Sequence, residues 1–429
     1  MTDLADTLRA AGVHTLLVQF TDLHGVAKGK LVPLAELGTV LDAGAGFAGP
    51  SIAGTGLPRT GPRSEYYARG DAATAQPLPW MPGVARIVGD GFVAGEPFDG
   101  CPRQVLRGAL ARLAQHGLSL QVGIEPEFFL LRRDGTAAAD PDDRLDKPSY
   151  DLKSLPRQFG FLHELASGLA ACCFEILQID HEDAHGQYEL NFRHADALLS
   201  CDRLMLFKLA AHALAEARGL LFSMMPKPFA DQPGSGLHFH VSLWNGAQVV
   251  ADGVQRAFVA GVLAHAPALC AIAAPTVNSY KRLTVGPSLS GTSWAPACIA
   301  HGPNNRTALV RTLPGRFEWR LPDASANPYL ATAALVAAGL DGIERGLEPP
   351  PAVTDDLFVL SPAQWRERGI GILPQSLAEA LDALEADAVV RGALGPTLAT
   401  TFVELKRLEW TDYARHVSAW ERARYAAAF

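Results

Sequence analysis

Four short apolar stretches of the chain carry polar or ionisable side chains at every second position. They are residues 118–127, 187–192, 237–243 and 316–321. Because successive side chains of a strand point to opposite faces, each stretch is predicted to be a β-strand with one apolar and one polar face. A single strand of this kind also fits an antiparallel sheet with one face in water. The four polar faces together hold glutamate, histidine and arginine but no lysine, which indicates a shared cavity.

The acidic residues of these faces have the chemistry of ligands for a divalent cation. Glu125, Glu127 and Glu189 lie on predicted strands, Glu182 lies close to the second of them, and His238 supplies one nitrogen. Oxygen-rich sets with a single imidazole suit Mg²⁺ or Mn²⁺ better than Zn²⁺.

Arginines accompany the last of the four stretches. Arg316 and Arg320 lie within it, and Arg306 and Arg311 precede it. Guanidinium groups bind phosphate and carboxylate oxygens in a fixed, forked geometry. Divalent metal ligands and arginines around one cavity are typical of phosphoryl transfer. The chain has no GxxxxGK[ST] sequence, so a P-loop is excluded. The pattern predicts a metal-dependent, nucleotide-using enzyme and leaves its substrate open.

Composition narrows the class of protein. The 429 residues are 48% hydrophobic, enough for two or three domains with buried cores. A net charge of −8 argues against binding to nucleic acid. Six cysteines without a CxxC spacing indicate reduced thiols. The start of the chain does not resemble a signal peptide and the apolar stretches are interrupted by charges, so we expect a cytoplasmic protein that does not enter a membrane.

Local signals outline the elements that must position these residues. Strands are predicted over residues 13–20 and 85–88, and the Gly- and Pro-rich residues 43–61 are predicted to be a loop. A domain boundary is placed near residue 100. Helices are predicted to begin at Pro102, at Pro328 after an Asn327 cap, and at Leu377 after a Ser376–Glu379 capping box.

The motifs, taken in order, resemble those of the glutamine synthetase superfamily over most of the chain. The matching segments are Glu125–Glu127, Glu182–Glu189, Met225–Phe229, Gly234–His240, Pro275–Leu283, Asn305–Thr307 and Arg316–Arg320. The resemblance implies an α+β fold, with an N-terminal β-grasp domain (residues 1–100) and a catalytic domain (residues 101–429) built on a curved antiparallel sheet flanked by helices. It also implies a homo-oligomer, expected to be a double-ring dodecamer, with each site formed between two subunits.

The family reaction has two steps, in which ATP phosphorylates the γ-carboxylate of glutamate and an amine then attacks the acyl phosphate. Two or more Mg²⁺ or Mn²⁺ ions are implied, and their ligands are expected to fall into two sets. The sets are Glu127, Glu182 and Glu189 for one ion, and Glu125, His238 and Glu318 for the other.

The resemblance also assigns the substrate contacts. Glutamate would be bound by Arg282, Arg320 and the backbone at Gly234, and the nucleotide would lie near His240 and Ser242. Arg306, Arg311 and Arg316 would bind phosphates in the transition state, with Glu318 and Arg306 counted as catalytic. The alternatives are ion pairing at the sheet edge for the arginines and a structural hydrogen bond for His240.

Asp22 matches the family's loop aspartate, which helps to deprotonate the incoming ammonium from across the subunit boundary. A protonated amine cannot attack, so a carboxylate that accepts its proton is required. The structural alternative is that Asp22 only forms an Asx turn before Gly25.

One segment departs from the ammonia-using bacterial enzymes, which carry a glutamate just before an Ala-Pro on a flap that closes the site. Here residues 291–296 are GTSWAP, so Trp294 replaces that acid. An indole offers an apolar, cation-tolerant wall to a substituent on nitrogen. The alternative is that Trp294 only packs the flap.

This segment, together with residues 180–184 (DHEDA), resembles the branch of type III glutamate–ammonia ligases and glutamate–methylamine ligases. We therefore predict a ligase that forms γ-glutamyl amides from short alkylamines, with methylamine favoured. A glutamine synthetase that uses ammonia, and a γ-glutamyl-polyamine or ethanolamine ligase, remain alternatives. A non-catalytic family member and a guanidino-kinase-like phosphoryl transfer are disfavoured by the complete set of motifs. Some members of the family are switched off by nucleotidylation of a tyrosine in a short loop. The comparable stretch here is residues 356–360, where Phe358 lacks the hydroxyl that the modification needs, so this regulation is not expected.

Overall fold

The N-terminal part of the chain forms a six-stranded sheet. The computed structural model describes residues 4–286 and 294–429. The strands of this sheet are β1 (Thr15–Thr21), β2 (Ala27–Pro33), β3 (Ala45–Ala48), β4 (Glu65–Pro77), β5 (Val84–Val93) and β6 (Glu96–Pro97), in the order β2-β1-β5-β4-β3 with β6 beside β5. Helices α1 (Leu4–Ala10) and α2 (Leu37–Asp42) accompany it.

The alternation of β1 explains how this sheet acquires its core. Leu16, Val18 and Phe20 are buried in one apolar cluster with Ile87 of β5, and Leu17 on the other face packs against the larger C-terminal core. β1 and β5 run parallel while the other strand pairs are antiparallel. This mixed sheet with a helix on one side is the predicted β-grasp arrangement.

The rest of the chain surrounds a ten-stranded sheet whose main path is β15-β16-β17-β12-β7-β9-β8, with β10 and β11 paired to β7 and β13 paired to β12. The bounds are β7 (Ser119–Arg132), β8 (Ile176–His181), β9 (Gln187–Phe192), β10 (Ala195–Asp196), β11 (Leu220–Ser223), β12 (Leu237–Asn245), β13 (Gln248–Val249), β15 (His301–Pro303), β16 (Val310–Leu313) and β17 (Arg316–Trp319). Its pairs are antiparallel except β15 with β16. A further pair joins β14 (Cys298–Ile299) and β18 (Gly371–Ile372).

Helices of the main core cover the apolar face of the large sheet. They are α3 (Pro102–Gln115), α4 (Phe159–Ala171), α5 (Ala197–Glu216), α6 (Asp252–Ala264), α7 (Ala266–Ala273), α8 (Pro328–Glu344), α10 (Leu377–Ala386), α11 (Ala388–Leu394) and α12 (Pro396–Arg415). Two further helices lie outside this core, α9 (Pro362–Glu367) in a small cluster of its own and α13 (Ala419–Tyr425) with no buried residue. The inward side chains of β7 and β12, among them Leu120, Val122, Phe239 and Val241, pack with the helices of the main core. The predicted α+β fold is confirmed.

Most predicted elements are found, with changes at their ends. The strand predicted over 118–127 continues to Arg132, and the one predicted over 316–321 ends at Trp319. Asn327 caps α8 by accepting from the backbone N–H groups of Tyr329 and Leu330. The loop prediction for 43–61 was wrong at its start, where β3 pairs with β4. The domain boundary near residue 100 stays a prediction.

A buried arginine of α3 links the N-terminal sheet to helix α5. Arg103 of α3 is 3% exposed, and its guanidinium donates to Asp71 of β4 (2.9 Å), Asp90 of β5 (2.7 Å) and Asp202 of α5 (2.8 Å). Burial alone would lower the pKa of Arg103, but Asp202 and Asp90 raise it, so the guanidinium remains charged. Breaking such a buried network by removing one partner costs about 3–5 kcal/mol.

In the described parts of the chain, no single helix is long and apolar enough to cross a bilayer. The bent pair α6–α7, with a 76° angle, meets the length and composition requirement only when both helices are taken together.

Candidate active site

Strand register brings the predicted metal ligands together on the polar face of the large sheet. Glu125 of β7 pairs with His238 of β12, and His240 pairs with Glu318 of β17. Since paired residues of adjacent strands project from the same face, the four side chains form one patch. His238 Nδ1 lies 3.6 Å from both Glu125 and Glu318, and His240 Nε2 lies 2.9 Å from Glu125.

Glu127 extends this patch toward β9, where it pairs with Glu189. One Glu127 oxygen accepts hydrogen bonds from the side-chain amide of Gln187 (2.9 Å) and from the backbone N–H of Gly236 (2.7 Å). The other lies 3.8 Å from His238. Asn191 donates to Glu189 at 2.7 Å. These donors fix the carboxylates while leaving oxygens free to face a cation.

The hairpin between β8 and β9 adds two more carboxylates. Asp180 pairs with Glu189 across the strands, and Glu182 follows at the start of the turn. Ligand atoms of Asp180, Glu182 and Glu189 all lie within 4.8 Å of one another. Asp180 was not among the ligands predicted from the sequence. The alternation of Gln178, Asp180 and Glu182 is the signal that could have found it.

Three carboxyl groups of the cluster have raised pKa values. Burial and then Glu127 raise the pKa of Glu182 well above its ordinary value, and burial and then Glu125 do the same for Glu189. Burial, then Glu125 and Glu127, raise the pKa of Asp180 to about 6. Carboxylates this close resist simultaneous ionisation unless a cation neutralises them. The donor set and its uncompensated charge therefore fit divalent metal ions.

The pKa values of Glu125 and Glu318 are shifted in the opposite direction, downward. Burial raises the pKa of each, but for Glu125 the hydrogen bonds of His238 and His240 outweigh it, and for Glu318 the charges of His238 and Arg320 do so. Both pKa values are therefore lowered, and these two ligands are anionic before any metal arrives.

Three ligand triads emerge among the described residues. Their atoms lie within 4.8 Å in the sets Glu125–Glu189–His238, Glu125–His240–Glu318 and Asp180–Glu182–Glu189. The triads contain five of the six predicted ligands, with Asp180 and His240 as neighbours. The sixth, Glu127, is in no triad but lies 3.8 Å from His238 and pairs with Glu189 across the strands. The division of the six between two ions remains a prediction.

Three of the four predicted phosphate-binding or glutamate-binding arginines of this sheet contact the cluster. Arg311 donates to Glu318 at 2.8 Å, and Arg320 donates to the other oxygen of the same carboxylate. Arg316 donates to His240 Nδ1 at 3.3 Å. Arg306 is exposed in the turn after β15. Glu318 is 1% exposed, so its charge is balanced by two guanidinium groups.

The predicted glutamate contacts lie beside Glu127. Arg282 is buried and donates to the backbone carbonyls of Leu321 (3.1 Å) and Arg320 (3.3 Å), which fixes its direction. The Gly234 carbonyl accepts from Gln187 at 3.2 Å. A Cβ atom on Gly236 would lie only 2.6 Å from His238 Nε2 and 3.1 Å from Arg282 Nη2. The backbone therefore approaches the metal and glutamate residues as closely as glycine permits. Gly236 was not among the site residues predicted from the sequence.

A cavity of about 420 Å³ opens from the other end of the cluster. His240, Ser242 and Arg316, all predicted to contact the nucleotide, line it together with Gln178, His194 and Trp244. The indole N–H of Trp244 donates to Ser242 at 2.9 Å. Gln178, His194 and Trp244 were not predicted from the sequence, because each lies on a different part of the chain and belongs to no motif.

Trp294 reaches the opposite rim of the cluster. Its indole N–H donates to the Asp183 carboxylate at 2.5 Å, and its backbone carbonyl accepts from Arg320 at 3.2 Å. The side chain is 47% exposed. Residues 291–293 of the predicted flap motif lie outside the described residues.

Asp22 lies in the turn between β1 and β2. Its Oδ1 accepts from the backbone N–H groups of His24 and Val26, both at 3.0 Å, and Lys28 lies 3.7 Å from Oδ2. Its backbone carbonyl accepts from Asn327 at 2.9 Å, which ties this turn to the start of α8. The Asx turn is therefore present. The proton-accepting role of Asp22 stays a prediction.

Comparison with known proteins gives this geometry a context. Residues 99–425 match the family described as glutamine synthetase, catalytic domain. The chain is 46% identical to the glutamate–methylamine ligase of Methyloversatilis universalis, with 98% of both chains covered, and 36% identical to a glutamine synthetase of Rhizobium leguminosarum bv. phaseoli at the same coverage.

Two solved structures are similar over the whole chain. One is described as a GmaS/ADP complex, with a TM-score of 0.93, 40% identity and coverage of 99% of this chain and 100% of that one. The other is GmaS without ligand, with a TM-score of 0.92, 40% identity and complete coverage of both. A curved sheet that bears paired carboxylates, histidines and arginines, together with these full-length similarities, shows that the chain belongs to the glutamine synthetase family.

Proposed function

We propose that this ligase joins the γ-carboxyl group of glutamate to a short primary alkylamine at the expense of ATP, with methylamine preferred. The observation that carries the choice of amine is Trp294, an indole placed on Asp183 at the rim of the acidic cluster. The 46% identity to a protein named glutamate–methylamine ligase supports the same choice.

The indole matters because ammonium and alkylammonium differ in one group. Ammonium is best bound by carboxylates and hydrogen-bond acceptors alone. A methyl group on nitrogen needs apolar surface, and its transfer from water contributes about 1 kcal/mol. An aromatic wall next to carboxylates supplies both the apolar surface and tolerance of the cation.

Glutamine synthetase family enzymes use ATP and divalent metal ions, and the donor set of this chain fits such ions. Glu125, Glu127, Glu182, Glu189, His238 and Glu318 would hold them. When bound, Mg²⁺ or Mn²⁺ supplies charge neutralisation at the phosphate oxygens. His240, Ser242 and Arg316 would contact the nucleotide in the cavity that they line.

Different residues of the chain would serve the two steps of the reaction. Arg282 and Arg320 would orient glutamate so that a γ-carboxylate oxygen attacks the γ-phosphorus of ATP, forming γ-glutamyl phosphate and releasing ADP. Arg306 and Arg311 would stabilise the negative charge on the phosphoryl oxygens. The free amine then attacks the acyl carbon, and inorganic phosphate leaves.

The amine must lose a proton before it attacks. The Asp22 carboxylate is the proposed acceptor, supplied by a neighbouring subunit. The proposal therefore includes a homo-oligomer, a double ring of twelve subunits, in which β1–β2 turns complete adjacent sites. It also places the enzyme in the cytoplasm, where ATP and glutamate are available.

Phosphate release from ATP, measured with and without glutamate across a panel of amines, tests the proposal. Ammonia, methylamine, ethylamine, ethanolamine, putrescine and spermidine separate the alternatives. We expect the highest kcat/KM for methylamine, about fivefold above ammonia if one methyl group contributes its transfer energy. A clear preference for ammonia would favour the second candidate, a glutamine synthetase, which the 36% identity to proteins of that name supports. Glutamate-independent turnover with every amine would refute both.

A further inference from the structure

Asp183 makes a side-chain contact that links two distant parts of the chain. It follows Glu182 directly in the β8–β9 turn, and its carboxylate accepts the indole N–H of Trp294 at 2.5 Å, across 111 positions of sequence. Asp183 is therefore next in sequence to a proposed metal ligand and contacts the proposed amine wall through its side chain.

Trp294 is anchored at two points. Arg320 donates to its backbone carbonyl at 3.2 Å, and Arg320 also pairs with the buried Glu318. This contact fixes the main chain of Trp294 but leaves rotation of its side chain free. With 47% of the residue exposed, the hydrogen bond to Asp183 is the described contact that selects one orientation of the ring.

We propose that Asp183 is a positioning residue that determines amine specificity by holding the Trp294 indole at the rim of the acidic cluster. The inference rests on the proposed function. Its physical basis is that an indole wall discriminates between methylamine and ammonia only when the ring is fixed, because a freely rotating ring must be ordered each time a substrate binds. A charge-assisted hydrogen bond from indole to carboxylate supplies that order before binding.

The test compares Asp183→Ala, Asp183→Asn and Trp294→Phe in the full-length enzyme. Asp183→Ala removes the acceptor, and we expect the KM for methylamine to rise roughly three- to tenfold, while the KM for ammonia and kcat change little. Asp183→Asn keeps a side-chain oxygen that can accept from the indole, and we expect its KM for methylamine to stay close to the wild-type value. Trp294→Phe removes the indole N–H donor, so adding Asp183→Ala to it should have little further effect.

Two controls separate this role from others. Asp134→Ala removes an exposed aspartate that serves a turn at the end of β7, where it accepts from Thr136, and should leave amine preference unchanged. The KM for Mg²⁺ reports any disturbance of Glu182. Equal rises in the KM for Mg²⁺ and for both amines in Asp183→Ala would assign Asp183 to the metal site and overturn the proposal.

The outcomes also separate this inference from the function on which it rests. If the wild-type enzyme shows no glutamate-dependent turnover with alkylamines, the proposed function fails. If the wild type prefers methylamine and Asp183→Ala keeps the same preference, or if the effects of Asp183→Ala and Trp294→Phe are fully additive, the positioning role of Asp183 fails while the function stands.

Discussion

A single methyl group at Gly236 should disable the site without unfolding the protein. Gly236 directly precedes β12, and its N–H donates to Glu127 at 2.7 Å. A Cβ atom in Gly236→Ala would lie 2.6 Å from His238 Nε2, 2.9 Å from Glu127 Oε1 and 3.1 Å from Arg282 Nη2. Two of these side chains are proposed metal ligands and the third is a proposed glutamate contact.

The size of the effect follows from those distances. Ordinary contact begins at 3.4 Å, so the His238 ring must retreat by about 0.8 Å and the Glu127 carboxylate by about 0.5 Å. Overpacking of this kind costs about 1–3 kcal/mol of stability. Misplacing reacting groups by about 1 Å can cost about 100-fold in rate. We therefore expect kcat/KM for glutamate to fall about 100-fold and the KM for Mg²⁺ to rise, with a loss of only a few degrees in Tm.

Phosphate release in the presence of glutamate and methylamine, titrated with Mg²⁺ and with glutamate, measures the effect. Gly108→Ala is the matched control, because Gly108 lies in α3 with open space around its Cβ position, and it should retain full activity. Near-normal kcat/KM and an unchanged KM for Mg²⁺ in Gly236→Ala would refute the inference that the site leaves no room for a Cβ atom between the backbone at 236 and the His238, Glu127 and Arg282 side chains.

Four further substitutions test other parts of the site and fold. Glu318→Gln should abolish ATP turnover, since it removes a buried charge that pairs with two arginines and is proposed to bind metal; near-normal phosphate release in excess Mg²⁺ would refute that role. Asp22→Asn keeps an acceptor for the Asx turn but cannot take a proton, so amide formation should slow while the glutamate KM stays roughly constant; a rise in that KM alone would contradict the role of base. Trp294→Glu should shift preference toward ammonium, and an unchanged amine ranking would remove the reason for favouring alkylamines. His265 lies between two carboxylates, at 2.6 and 3.0 Å, whose hydrogen bonds raise its pKa against the effect of burial. Its stabilisation is fully present below about pH 6.5 and is lost as the pH rises through the raised folded-state pKa, so His265→Gln should lower Tm more at pH 6 than at pH 9; an equal loss at both would contradict this.

The polar faces of the four strands were predictable from sequence because alternation is a local property of a strand. Glu125, His238 and Glu318 could each be placed on a polar face from the order of their neighbours alone. Their pairing could not, because register depends on contacts between strands that are more than 70 residues apart. The resemblance to a known family supplied what alternation alone left open.

The predictions from sequence were wrong or incomplete where tertiary contacts determine the local structure. Residues 45–48 lie in a Gly-rich segment with no strand signal, yet they form an edge strand because β4 offers its backbone groups to them. Asp180 lies in a segment that resembles the family, but the sequence alone did not mark it as a ligand, because its approach to Glu182 and Glu189 depends on the pairing of β8 with β9. The hydrogen bond of Asp183 with Trp294 joins segments 111 residues apart, beyond any periodicity.

The β8–β9 hairpin concentrates two tasks in one short turn. Asp180 and Glu182 belong to a cluster whose mutual repulsion favours a bound cation, whereas Asp183, one residue further on, hydrogen-bonds the indole at the rim. Because the side chains at 182 and 183 have different neighbours, a substitution at 183 is expected to alter the proposed amine wall while the proposed metal ligands stay in place. On this proposal one scaffold keeps the chemistry of acyl phosphate formation constant and varies the nucleophile, since Asp183 and Trp294, the residues proposed to select the amine, lie at the edge of the cluster and contribute no ligand to its triads.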